Sequence, residues 1–185
     1  GLEQFELAND LSSHTGQSRL IRLAYFEHPN YVPLLKNAYT GWRQIEEDAG
    51  VNLFYQTGIA YYGRPEGPLI SGIQSSVSKY DLKMVPIPLD HYSGLQIPTD
   101  YQGLYEEVAG FVTPEKAIRT YAQQALMWGA VLRQNEKVIS WKQETDHIIL
   151  KTDQGSYYTE KLILTAGPHI QSLLPTFIPQ LTVTR

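Results

Sequence analysis

The chain reads as a mixed α/β protein. Three stretches, 29–49, 66–82 and 114–128, carry apolar residues at helical spacing. Between and after them run short segments rich in aromatic and β-branched residues, bounded by turn formers, which is the pattern of strands. One turn, Asp153-Gln154-Gly155, joins two such segments as a hairpin.

The elements follow in order. Residues 12–22, Ser-Ser-His-Thr-Gly-Gln-Ser-Arg-Leu-Ile-Arg, form the densest group of anion-binding side chains in the chain. If 18–22 is helical, Arg19 and Arg22 share a face; if it is extended, they point to opposite faces. An exposed loop is the plain alternative, but Leu20, Ile21, Leu23, Ala24 and Tyr25 crowd the arginines. In 29–49, Val32, Leu35, Tyr39, Trp42 and Ile45 make the apolar stripe, and Gly50 stops the helix. A strand is expected over 53–62. A second helix over 66–82 is marked by Leu69, Ile73, Val77 and Tyr80. Pro86, Pro88 and Pro98 make 84–99 a loop with short edge strands.

Short strands are expected at 102–106 and 110–112. Thr113 then caps a helix, with Pro114 at its first position and Glu115 in its first turn, and Gly129 ends it. Further strands are expected at 131–133, 137–144, 147–152, 156–159 and 161–165. A short helix over 169–174 ends at Pro175. Glu106 and Glu107 are adjacent, so a strand sends them to opposite sides and they are no glycosidase pair. Tyr61, Tyr62 and Tyr105 read as core or sheet-face residues.

Composition narrows the function. With 185 residues, 42% hydrophobic and 18% charged, the chain has enough apolar content for a core and is not disordered. A net charge of −4 without any basic run argues against nucleic acid as partner. No apolar run is long enough to span a bilayer, so no membrane partner is expected. The chain has no cysteine, which excludes disulfides and thiolate metal sites and fits a cytoplasmic location. His28, His91, His147 and His169 have no metal-ligand spacing, so no metal is expected.

Several segments then combine. Glu3-Gln4-Phe5-Glu6-Leu7, the run 12–22, Tyr31-Val32-Pro33-Leu34, Tyr101-Gln102-Gly103-Leu104-Tyr105, Gly110-Phe111-Val112 and Lys161-Leu162-Ile163-Leu164-Thr165-Ala166-Gly167 occur in this order. In sequence and spacing they resemble the FAD-dependent amine oxidases of the D-amino acid oxidase superfamily, of the monomeric sarcosine oxidase and N-methyltryptophan oxidase type. The resemblance covers nearly the whole chain. It implies an interrupted FAD-binding dinucleotide fold, with 1–49 and 110–172 in that domain. Residues 50–109 would belong to a mixed, mostly antiparallel substrate domain, to which 173–185 return.

The same resemblance implies FAD as cofactor and a small amino acid, N-methyl amino acid or amine as substrate. A hydride passes from the carbon beside nitrogen to flavin N5, and oxygen or another electron acceptor reoxidises the flavin. Arg22 aligns with the arginine that binds the substrate carboxylate, and Arg19 with the arginine beside the flavin ring. Glu3, after the second strand, aligns with the acid that holds the ribose hydroxyls. Ser12, Ser13, His14 and Thr15 align with residues along the cofactor. Leu132 sits where an adenine-side strand offers its backbone. Ala166 and Gly167 are small where backbone approaches the dinucleotide.

Two departures stand out. The family often has a second histidine where this chain has Thr15, which changes the groups near the ring. No G-x-G occurs anywhere, although this fold class holds the cofactor pyrophosphate on such a loop. The expectation is therefore an internal piece of a longer flavoprotein, with any flavin-linking cysteine and the active-site lysines beyond Arg185. Two alternatives stay open: a folded or partner-binding module without flavin, and a dehydrogenase of the same superfamily. A yellow or colourless purified protein separates enzyme from module.

Overall fold

The structure is a computed structural model and describes residues 1–174. Two compact units are formed, one by residues 18–113 and the other by residues 1–17 together with 114–174.

In the unit of residues 18–113, strand β1 (Arg19–Ile21) is followed by helix α1 (Val32–Ala49), strands β2 (Phe54–Tyr55) and β3 (Ile59–Gly63), helix α2 (Pro68–Tyr80) and strands β4 (Val85–Ile87), β5 (Gln102–Glu106) and β6 (Gly110–Val112). They make two antiparallel sheets, ordered β1-β6-β2 and β3-β5-β4. The extended β1 decides between the two conformations open at 18–22: Arg19 lies in a strand and Arg22 just beyond it.

Helix α1 forms as its pattern predicts. A turn of 3-10 helix, Pro29–Tyr31, leads into it, with His28 Nδ1 accepting from Asn30 N. Gly50 closes it in a left-handed conformation, φ 65°. Its Tyr39 and Trp42 pack on Ile21, Phe54 and Val112 of the first sheet. A second core gathers Ala24, Tyr61 and Ile73, with Phe26, Ile59, Leu69, Val77 and Leu104 around them. Burying a side chain such as Ile73, wholly excluded from solvent, contributes about 1.5–3 kcal/mol.

The single strand expected over 53–62 is two strands in two different sheets. The break is at Gly58, whose φ of 72° no β-branched or aromatic residue adopts comfortably, and whose N–H donates to Ala109 O. A Cβ there would lie 1.8 Å from the Tyr105 hydroxyl.

The other unit contains α3 (Pro114–Met127), an antiparallel meander of β7 (Val138–Gln143), β8 (Ile148–Thr152) and β9 (Ser156–Thr159), and a short α4 (Ile170–Leu173) preceded by a 3-10 turn, Gly167–His169. Gly129, φ 85°, ends the α3 region as read from the sequence. The Glu136 carboxylate is buried and satisfied, accepting from the Thr152 and Tyr157 hydroxyls. Two expected strands are absent. Residues 131–133 make one isolated parallel bridge, Leu2 to Arg133, framed by Glu3 N–Arg133 O and Arg133 N–Gly1 O bonds of 2.9 Å. Residues 161–165 pair with no strand among the described residues. Both runs have strand-like composition, but composition supplies no neighbour for the ladder.

The boundaries of the compact units fall at 17/18 and 113/114. They divide this chain by packing, and α1 packs within 18–113; the assignment of segments to the domains of a longer protein is a separate matter. The expected helix stop at Pro175 lies outside the described residues, as does nearly all of the expected return at 173–185.

Candidate functional site

The unit of residues 1–17 and 114–174 forms an open-sided cavity of about 970 Å³. Its walls include Glu3, Ser12, Ser13, His14, Ala166 and Gly167, drawn from segments about 150 residues apart in sequence. That volume lies at the upper end of the range of about 300–1,000 Å³ common for small-molecule and cofactor sites. Six of the residues singled out in the sequence therefore come together. Thr15 and Leu132 are not among the lining residues, though Val131 and Arg133 on either side of Leu132 are.

Local bonding explains how the short loop 9–15 keeps its shape. Asn9 Oδ1 accepts from Leu11 N, and Thr15 Oγ1 donates to Ser12 O at 2.7 Å and to Asp10 O at 3.0 Å. Ser12 Oγ lies 2.8 Å from His14 Nδ1, so hydroxyl and imidazole are coupled. Glu3 is fixed by the bridge to Arg133, and one carboxylate oxygen accepts from Phe5 N at 3.1 Å. Gly167 has φ 50°, and a Cβ placed on it would come within 3.9 Å of Ser13 Oγ. A Cβ at that distance makes only ordinary van der Waals contact, so it is the left-handed φ, not crowding, that favours glycine here. His169 also lines the cavity; its Nε2 is buried and has no hydrogen-bond partner among the described residues.

These residues fit a dinucleotide. A carboxylate matches ribose hydroxyls, hydroxyl and imidazole groups match polar edges, and small residues admit close backbone approach. His169 was not singled out in the sequence for this wall. Its position three residues after Ala166 was the available signal.

The two arginines belong to the other unit. Arg19 is exposed, and its Nη1 donates to Ser18 O. Arg22 is largely buried, with 17% of its side chain exposed, and its guanidinium lies over the rings of Tyr25 at 4.8 Å and Phe26 at 5.2 Å. One Nη reaches both carboxylate oxygens of Glu27, at 3.2 and 3.3 Å. Its Nε is buried and makes no hydrogen bond among the described residues. Nothing in the sequence pattern had marked Glu27.

Glu106 is the other residue the motifs did not mark. It is 1% exposed and accepts from Leu23 N, Ala24 N and the Tyr61 hydroxyl. Burial pushes the Tyr61 phenol far above its ordinary range, and the neighbouring Glu106 carboxylate adds to the effect, so the hydroxyl stays a donor. The signal was present in strand alternation: Glu106 is two residues from Leu104, which packs on the core. Glu107, one residue on, is exposed, so the pair faces opposite ways as expected. No cluster of metal-ligating side chains occurs among the described residues, and no described helix is long and apolar enough to cross a membrane.

With this geometry in hand, known proteins give the context. The family model for FAD dependent oxidoreductases matches residues 2–185. The N-methyl-L-tryptophan oxidase of Citrobacter koseri is 29% identical over 167 residues, covering 88% of this chain and 45% of that protein. The monomeric sarcosine oxidase of Streptomyces avermitilis is 29% identical over 189 residues, covering all of this chain and 49% of its own length. Among solved structures, NikD, an amino acid oxidase of nikkomycin biosynthesis, superimposes with a TM-score of 0.83 at 24% identity, covering 94% of this chain and 46% of its own. Glycine oxidase from Geobacillus kaustophilus gives 0.75 at 15% identity, covering 94% of this chain and 50% of its own. At these identities the structural matches speak for the fold. The chain spans about half the length of the curated relatives it matches.

Proposed function

Because this chain belongs to the FAD dependent oxidoreductase family, we propose that it is part of a flavoenzyme that oxidises the C–N bond of an amino acid or N-methyl amino acid. The observation that carries the reading is the cavity in which Glu3, Ser12, Ser13, His14, Ala166 and Gly167 meet. In this reading Glu3 accepts from ribose hydroxyls. The loop 12–15 supplies hydroxyl and imidazole contacts, with Thr15 supporting Ser12 through its backbone carbonyl. Leu132 offers main-chain groups to the adenine side. When bound, the flavin supplies the two-electron acceptor.

Arg22 takes the substrate carboxylate. Its guanidinium already engages one carboxylate, that of Glu27, while two aromatic rings restrict its direction. Arg19 serves the flavin ring edge. In this reading residues 1–49 and 110–172 belong to the FAD-binding domain and 50–109 to the substrate domain. The relatives named as oxidases favour oxygen as the final acceptor, and the reading places the enzyme in the cytoplasm.

The test is anaerobic. A full-length protein carrying this chain, purified without added flavin, is expected to be yellow, and its flavin absorbance should bleach on addition of sarcosine or N-methyltryptophan. Readmitted oxygen should restore the colour with formation of hydrogen peroxide. A colourless protein that takes up no FAD would overturn the proposal.

A further inference from the structure

We propose that Glu106 is a positioning residue for Arg22, its buried carboxylate fixing the turn after β1 and, through that turn, the direction of the guanidinium. The inference rests on the reading of Arg22 as the carboxylate-binding group. It starts from a backbone problem. After β1 the chain bends sharply, with Tyr25 N donating to Leu23 O at 2.7 Å. The bend carries the N–H groups of Leu23 and Ala24 away from any ladder, and Ala24 is wholly buried. Buried donors of this kind are costly when left unpaired.

Glu106, the last residue of β5, answers both. Its Oε1 accepts from Leu23 N at 2.5 Å, and Ala24 N lies 3.2 and 3.3 Å from its two oxygens. The Tyr61 hydroxyl donates to Oε2 at 2.8 Å and holds the carboxylate from the neighbouring strand β3. The opposite side of the bend is held by α2. Ser76 Oγ donates to Tyr25 O. At Gly72 the helix has no side chain, and a Cβ there would lie 2.0 Å from Phe26 O. Residues 23–26 are therefore clamped between a carboxylate on one side and a helix on the other.

This clamped segment is the platform of Arg22. Tyr25 and Phe26, whose rings lie under the guanidinium, sit in or directly after the bend. An apolar side chain at 106 would leave the Leu23 and Ala24 donors unpaired. A glutamine keeps the shape and one acceptor oxygen, but it has only one such oxygen for three donors. The consequence should be a looser bend and a guanidinium spread over more directions. Folding of the sheet should survive.

The experiment uses the full-length flavin-loaded protein and compares sarcosine with dimethylamine, which lacks the carboxylate. Glu106→Gln and Tyr61→Phe are measured beside Arg22→Lys, together with flavin content and amide exchange of the peptide spanning residues 23–26. For Glu106→Gln, KM for sarcosine should rise about five- to tenfold. Its kcat should change little, dimethylamine turnover should stay within about twofold, and exchange in that peptide should quicken. Tyr61→Phe, which removes one contact and no backbone partner, should give a smaller effect of the same kind; if Glu106→Gln does not fold, this variant decides alone. Equal losses on both substrates mean that Glu106 only supports the fold, and overturn the proposal. Unchanged kinetics with unchanged exchange do the same. If Arg22→Lys discriminates the substrates and Glu106→Gln does not, the positioning role falls and the reading of Arg22 stands. If Arg22→Lys fails to discriminate, both fall.

Discussion

At the scale of single residues, what the sequence made legible was local. Ser12, Ser13 and His14 stand in one short run, and Glu3 and Gly167 sit in recognisable contexts; the fold gathers them at one cavity. What stayed hidden was non-local. Glu106 meets Leu23 and Ala24 across more than 80 residues, and Tyr61 across 45, so no spacing in the chain announces them. Glu3 offers a direct test of the cofactor side. If it receives ribose hydroxyls, Glu3→Ala in the full-length protein removes charge-assisted hydrogen bonds worth about 1.5–3 kcal/mol. The Kd for FAD, measured by fluorescence titration of the apoprotein, should rise roughly tenfold or more. An unchanged Kd would leave Glu3 as the local cap of Phe5 N and nothing more.

At the scale of elements, helices were read well because their periodicity is internal to the segment. Strands were read less well because a strand needs a partner that its own residues do not encode; 161–165 and 131–133 show this. Glu46 ties an element pair together and gives a prediction. It sits on α1 and accepts from Leu53 N and Phe54 N at the entry to β2, while Arg43 pairs with its other oxygen at 2.7 Å. Burial, the largest influence, pushes its carboxyl upward, but the two backbone donors and the Arg43 guanidinium outweigh it and hold the group below the usual carboxylate range. A depressed folded value means that the charged form stabilises the fold above the ordinary glutamate range. This contribution is lost as pH falls through the lower, folded value. Glu46→Gln should therefore lower Tm at neutral pH, and the gap to the parent should narrow on acidification. A gap that is constant with pH would mean that the carboxylate's charge is irrelevant. Gly58 provides a second check. Gly58→Ala meets both a left-handed φ and the Tyr105 ring, and should cost about 1–3 kcal/mol of stability in denaturant melts. A neutral substitution would contradict the assigned break between β2 and β3.

At the scale of the whole molecule, the mixed α/β class and the antiparallel sheets were legible. So was the family, because its motifs recur in order over the whole chain. The break of 53–62 into two sheets was not, since it depends on the fit of Gly58 under Tyr105. The chain contains no G-x-G loop for a pyrophosphate. The 185-residue chain by itself should therefore hold FAD weakly, and dialysis should strip it; stoichiometric flavin after dialysis would show that the described cavity suffices.

The central claim is that Arg22 grips the carboxylate of an amino-acid substrate, and one comparison tests it most directly. Arg22→Lys keeps the charge and loses the two-pronged geometry. In the full-length flavin-loaded protein, kcat/KM for sarcosine should fall by about 2–4 kcal/mol in transition-state terms. Flavin content and the slow turnover of dimethylamine should stay near those of the parent. Equal losses on the two substrates, or no loss on either, would contradict the account.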